Sequence, residues 1–558
     1  MKKFLLFFAA ALVAFAACKP VDPTPGPGPD PGPGPEPGPG PEPTEDVLTL
    51  TSDDVNSIDA ESAIVSIKFT TNVAWSASTE QDYIVLNKQS GEAGDIELKA
   101  TVQSLPEDVQ GRVGGVSIKA GTKSADVTIY QGKVFIIDPG ELYVDVKGGK
   151  VSFTVTTNLE YSVKTYDDVF TYAPATFDQA TGEGSFNVAA NKDYDSRYAY
   201  IKFTIPAIQD PVIDDETGEP TGETQDHVER IYVFQEGNMQ IAWNANLPAD
   251  LELGAINSDA NVTLALLGDK LLLSDGVKIR AYDAASGAAA SVNIPEVLPV
   301  QCITNDDAGN VLFASAAGYG GTIDIFAVKA DDTSFSSPVK VATGVVSAWT
   351  GAPIADNVRA KGNVFNKAVI SVLLGGGPGC GSISYGMYWE IAEGAASDAA
   401  YVAGPADVTD TIWLSNRGCL APIGTSASSG FLYSGYDGIY ALQMFDGVSW
   451  SPLITDIGDW ATAPNAISTT IWNNKYIVAI LCMAYFPEWG MPSYLRVADL
   501  TNSVVVSNMD YYGADEHVTG GQETSTSDVL LKVEGHDLAA YIVDSAWGLI
   551  AKIVYPQL

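Results

Sequence analysis

The sequence predicts an all-β protein, and three observations predict it. Beyond residue 46, Val, Ile, Thr, Tyr and Phe alternate with polar residues in short runs punctuated by Gly, Asn and Asp, the period-2 pattern of half-buried strands. No amphipathic helical pattern of more than three turns interrupts them. The chain also repeats itself, first as two long modules and then as a series of shorter units, and repetition on this scale marks modular β architecture. With 558 residues, 46% of them hydrophobic, there is room for three or four domains.

The N-terminus, "MKKFLLFFAAALVAFAACKP", opens with Lys2 and Lys3 and continues in an apolar run from Phe4 to Phe15. That run is too short to span a bilayer and suits a secretory signal over residues 1–17. Phe15-Ala16-Ala17 before Cys18 resembles the lipobox of bacterial lipoproteins, with Phe15 where an aliphatic residue is more usual. The resemblance implies diacylglycerol on the Cys18 thiol, cleavage before it and acylation of the new amino group. Several acyl chains together would anchor the protein durably. The alternative is an ordinary cleaved signal. Residues 18–45 form the lipidated cysteine and a linker in which every second residue from Pro23 to Pro43 is proline. Alternating proline enforces a stiff, solvated, coreless chain whose reach is at most about 80 Å.

Two modules follow, 46–132 and 133–238. "TTNVAWS" (70–76) returns as "TTNLEYS" (156–162), each after an alternating strand, "AIVSIKF" or "GKVSFTV". A Gly-containing turn and strand come next ("SGEAGDIELKA", "TGEGSFNVAA"), then Arg112 or Arg197, then a closing strand ending in Gln ("ADVTIYQG", "RIYVFQEG"). The second copy carries an acidic insertion at 208–227, expected as a solvent-facing hairpin loop. These elements resemble the BACON family of Bacteroidetes proteins, closely in the first copy and less so in the second, where Tyr161 stands in place of the favoured Trp. The resemblance implies immunoglobulin-like β-sandwiches, a Bacteroidetes origin and linkage to carbohydrate use, with the sandwiches serving as spacers. Trp75 and Tyr161 are expected as equivalent core anchors.

Residues 239–558 change rhythm. Units starting near 239, 300, 358, 410, 464 and 519 share strand–turn–strand patterns, clearest in "LLGDKLLLSDGVKIRAYDAASGAAASVNI" (266–294). Four strands per unit at this period predict a β-propeller, of six blades with seven left open.

The formal charge of −39, from 69 acidic and 30 basic residues, argues against nucleic acid and anionic lipid as partners and favours neutral or cationic ones. Membrane contact would be through the lipid anchor only. No cofactor motif appears: "GGGPGCGS" (375–382) lacks the lysine of a phosphate loop. Cys302, Cys380, Cys419 and Cys482 lack metal-ligand spacing and are expected to be buried thiols, so no metal is expected. The three histidines, His227, His517 and His536, accompany no G-x-S-x-G elbow, and no catalytic residue is assigned. A glycoside hydrolase would need only two carboxylates and stands as the third reading.

The leading reading is glycan binding; the second is a protein-interaction or adhesion module accessory to an outer-membrane transporter. Sugar rings stack on aromatic side chains, so aromatics in loops are the candidates. They are Tyr485, Phe486 and Trp489 in "AYFPEWGMPSY", Tyr511 and Tyr512 in "MDYYGADEH", and Trp460 in "DIGDW". "SYGMYWE" offers Tyr385, Tyr388 and Trp389.

Overall fold

The computed structural model describes residues 45–166, 176–178, 181–214, 217–248, 262–347, 353–376, 385–404, 418–435, 441–455, 457, 462–484, 493–502, 504–511 and 527–558. Among these there is no α-helix, and a 3-10 turn occurs at Ala427–Ser429. The chain forms two compact units that divide after Gly132.

In the first unit two sheets share one core. One orders the strands Leu48–Leu50, Ala63–Thr71, Gly94–Val102 and Ile84–Leu86; the other orders Val55–Ile58, Lys123–Gly132, Gly111–Ala120, Trp75–Ser78 and Ser90–Gly91. Alternation sends Val65, Ile67 and Phe69 from the first sheet to meet Ile118, Val127 and Ile129 from the second. Trp75 is buried among them, edge-on to Phe69 with ring centroids 5.1 Å apart. Gly91 faces it so closely that a Cβ there would lie 2.7 Å from the indole nitrogen.

The module at 133–238 repeats this order except for the short edge strand Ser90–Gly91, which has no counterpart among the described residues. Phe135–Asp138, Gly149–Thr157, Glu183–Val188 and Thr176–Asp178 form one sheet; Glu141–Val144, Pro220–Gln235, Arg197–Ile213 and Ser162–Tyr166 form the other. Each module has one parallel pairing, Val55–Ile58 with Lys123–Gly132 and Glu141–Val144 with Pro220–Gln235. Tyr161 packs against Phe135 and Phe203 at 5.3 and 6.1 Å, on the core side as expected but only half-buried.

The repeated motif residues are struts. Arg112 Nε donates to Gln131 Oε1 at 2.9 Å, and Gln131 Nε2 donates to the carbonyls of Ala60, Glu61 and Gln103. Arg197 Nε donates to Gln235 Oε1, also at 2.9 Å, and Gln235 Nε2 donates to the carbonyls of Asp145 and Ala189. Asn72 and Asn158 accept the backbone N–H of Val47 and Val134. The motif therefore satisfies loop carbonyls that the sheets leave unpaired.

The acidic insertion departs from its expected loop form. The strands Arg197–Ile213 and Pro220–Gln235 stay paired out to Ile213 and Pro220, with irregularities after Ile205 and Pro211. Thr221 and Thr224 supply β-propensity on one strand, Val212 and Ile213 on the other, so the insertion lengthens a hairpin and stays exposed.

Six further antiparallel sheets follow, numbered here in chain order. Sheet 1 contains Thr263–Leu267 to Ala289–Ala290, sheet 2 Cys302–Asn305 to Val339–Val345, and sheet 3 Pro353–Asn363 to Ala400–Ala403. Sheet 4 contains Gly418–Pro422 to Trp450–Ile454, and sheet 5 Thr462–Trp472 to Val504–Tyr511. Sheet 6 takes Ser527–Glu534, Asp537–Asp544 and Leu549–Tyr555 and is completed by Gln240–Asn246. The unit expected to start near 239 is thus misplaced: its first strand belongs to the last sheet, and sheet 1 begins at Thr263. Apolar cores join each sheet to the next, and sheet 6 returns to sheet 1 through Trp243, Leu264 and Tyr541. Covered on both faces, strands such as Thr263–Leu267 and Val311–Ala314 are buried at every residue.

The second module is fastened to sheets 5 and 6. Tyr194 Oη donates to the Pro556 carbonyl at 3.0 Å and its ring lies edge-on to Tyr555, while Ser507 Oγ donates to Asp195 at 2.7 Å.

Candidate functional site

The first strands of the six sheets converge on a cavity of about 730 Å³ to which every sheet contributes. The buried Arg359 forms part of its wall. Its Nε donates to the Ile467 carbonyl of sheet 5 at 2.7 Å, and its guanidinium pairs with Asp528 of sheet 6. Asp528 also accepts the N–H groups of Leu264 and Val529, each at 2.8 Å. Burial opposes charge on Arg359, yet Asp528 beside it holds the guanidinium above its ordinary pKa. Losing one partner of such a pair strands the other.

Lys361, two residues along the same strand and so on the same face, is also buried. Its Nζ lies 3.0 Å from Asp307 and 3.5 Å from Thr469 Oγ1, over the Tyr476 ring at 5.3 Å. Burial pushes the Tyr476 hydroxyl up to about 12. Asn305, Ser468 and Lys532 add polar wall, and Leu266, Ala421, Pro422 and Leu530 add apolar wall. Sequence reasoning missed this site. Its signal was charge inside an apolar strand, "NVRAKGN" (357–363).

Three buried carboxylates have pKa values raised by burial: Asp306, Asp528 and Asp544, the last to about 6. Each accepts backbone N–H groups, from Val364, Leu264 and Ala546 respectively, which assigns them to the scaffold. Cys302, Cys419 and Cys482 are buried thiols outside any disulfide. Among the described residues no cluster of acidic, His or Cys side chains could hold a metal ion.

Most residues singled out from sequence are not among those described. Cys18, Trp460, Tyr485, Phe486, Trp489, Tyr512, His517 and Cys380 lie outside the described residues, and Tyr511 ends a strand of sheet 5. "SYGMYWE" is corrected: Tyr385–Ala392 is a strand rather than a loop, because Met387, Trp389 and Ile391 alternate into the core. Trp389 is fully buried and its Nε1 donates to the Thr343 carbonyl at 3.0 Å. Tyr388 instead lines a groove between sheets 3 and 4 with Phe445 and Trp450. His227 sits on the long hairpin between Asp210 and Glu229, at 2.7 and 3.0 Å.

The comparisons define the class first. Residues 73–132 match the BACON family, described as "Putative binding domain, N-terminal", a match consistent with binding rather than catalysis. Residues 249–545 match the domain of unknown function DUF8500, and over that majority of its length the chain belongs to this family. No curated protein matches the sequence. Similar solved structures include a DUF4623 family protein from Bacteroides eggerthii, with 10% identity, a TM-score of 0.41 and coverage of 78% of this chain and 96% of that one. A quinonprotein alcohol dehydrogenase-like protein from Bacteroides thetaiotaomicron gives 10%, 0.26, 83% and 96% in the same order. A Bacteroides ovatus GH5 xyloglucanase in complex with a XXXG heptasaccharide gives 18%, 0.15, 18% and 22%. At these values the likenesses carry nothing about chemistry.

Proposed function

We propose that this chain is a lipid-anchored outer-membrane protein, outward-facing, that binds glycans without catalysis. Cys18 carries the lipid and the proline-alternating linker holds the folded part off the membrane. In this reading the two sheet pairs are immunoglobulin-like sandwiches of BACON type. The six sheets are blades of a β-propeller, completed by the pairing of Gln240–Asn246 with Leu549–Tyr555. The cyclic succession of shared cores supports the propeller reading.

The observation that carries the function is the central cavity. At about 730 Å³ it suits a small saccharide. Asn305, Asp307, Lys361 and Thr469 are the polar groups that hydroxyls require, while Leu266, Ala421 and Leu530 meet C–H faces. The test is glycan-array and affinity-gel binding of the full chain against Lys361→Met and Lys532→Ala. Binding weakened by both, with the fold retained, supports the reading; no glycan retained by the parent chain sinks it, and release of shortened product makes it a hydrolase.

A further inference from the structure

The outer face of the second module carries a pattern that the spacer role does not need. Strand register places side chains in rows across that face. One row is Lys164, Lys202 and Arg230, each directly opposite the next. The following rows are aromatic: Tyr200 opposite Tyr232, then Tyr198 opposite Phe234, which on its other side is paired with Tyr143. Tyr143 is 74% exposed and Tyr198 61%. Tyr143 and Phe234 stack at 5.4 Å and 19° and Phe234 and Tyr232 at 6.3 Å and 29°, while Tyr200 is tilted 59° from Tyr232 at 6.2 Å. The Arg230 guanidinium lies 5.4 Å over Tyr200.

The cation row of this surface costs stability. Like charges directly opposite repel, and a contiguous exposed aromatic patch marks an interaction surface. The first module, with the same topology, shows that the fold requires neither. At the positions of the cation row it has Ser78, Ser117 and Asp126, and at those of the five rings it has Gly115, Thr128, Val113, Tyr130 and Ser57.

We propose that this face binds an acidic polysaccharide. Sugar rings pack their C–H faces against the exposed aromatic rows. Carboxylate or sulfate groups on the sugars meet the row of Lys164, Lys202 and Arg230. A partner charged at every residue, such as nucleic acid, is disfavoured by the chain's −39, whereas intermittent acid groups match three cations. The site goes beyond the central-cavity reading and does not depend on it.

The test is native affinity electrophoresis of the full chain in gels containing hyaluronan or gellan, whose carboxylates are spaced along the chain, or neutral laminarin, with a single-stranded RNA as a further probe. The parent chain should be retained on an acidic glycan, and retention should fall with added salt. Tyr143→Ala with Tyr232→Ala, and separately Lys202→Ser with Arg230→Ser, should weaken it about tenfold. The serine pair introduces a residue that the first module already carries in this row, so it keeps the test valid if the tyrosine variant misfolds. Lys361→Met should leave this retention unchanged while weakening central-cavity binding. Equal retention on laminarin, preference for RNA, absence of retention, or retention indifferent to both double variants each overturns the proposal.

Discussion

The two modules share a strand order, a parallel pairing and an Arg–Gln strut, yet one is finished inside and plain outside while the other is the reverse. The first buries Trp75 against Gly91 and has Ser117 and Asp126 paired on its outer face. The second leaves Tyr161 half-buried and spends five aromatic residues on solvent. The conserved part of the pattern is what closes loops. The variable part is the outer face, where nothing in the core constrains it and a ligand can.

The largest test of this contrast is the core anchor. Trp75→Ala should destabilise the first module by about 3–5 kcal/mol, and Tyr161→Ala the second by less, about 2–3 kcal/mol, since part of its surface was never buried. Hydrogen exchange of each module within the full chain separates the two, and equal losses would show the anchors to be equivalent. The struts should behave alike: Gln131→Ala and Gln235→Ala should each cost about 1–3 kcal/mol, because each leaves an arginine Nε and loop carbonyls without their partner. A loss in only one module would break the equivalence.

The outer faces should differ in sign. Lys202→Ser should stabilise the second module by about 0.5 kcal/mol, by ending a like-charge row, seen as slower exchange in the hairpin strands. The smallest effect concerns pH. Burial works against the charge on His227, but hydrogen bonds to Glu229 and Asp210 outweigh it and its pKa is raised. Its contribution is therefore complete below the unfolded value of about 6.5 and is lost as pH rises through the higher folded value. Partly exposed, it should contribute no more than about 0.5 kcal/mol. Only the second module should weaken across that window, and His227→Gln should flatten its profile.

Much of the scaffold was legible because it is local or repeated. The period-2 runs became strands, and the "TTN", Arg and Gln positions took equivalent structural roles in both modules. What escaped is what pairing assembles. Tyr143, Tyr198 and Tyr232 come from three strands and meet only through register; a search for aromatics in loops passes over them. Arg359, Asp307 and Thr469 come from three sheets. The strand Gln240–Asn246 reads as the start of a unit because its partner is at the far end of the chain.

That last pairing also sets a schedule. A chain emerging from its N-terminus presents Gln240–Asn246 long before Leu549–Tyr555 exists, roughly three hundred residues later. Through that interval the strand is an unclaimed sheet edge, open to the wrong neighbour, and closing so distant a contact is slow. A premature stop that removed only the final strand would leave Gln240–Asn246 without its partner and strip one edge from Asp537–Asp544, which would keep only Ser527–Glu534, so a small truncation would have the consequences of a large one.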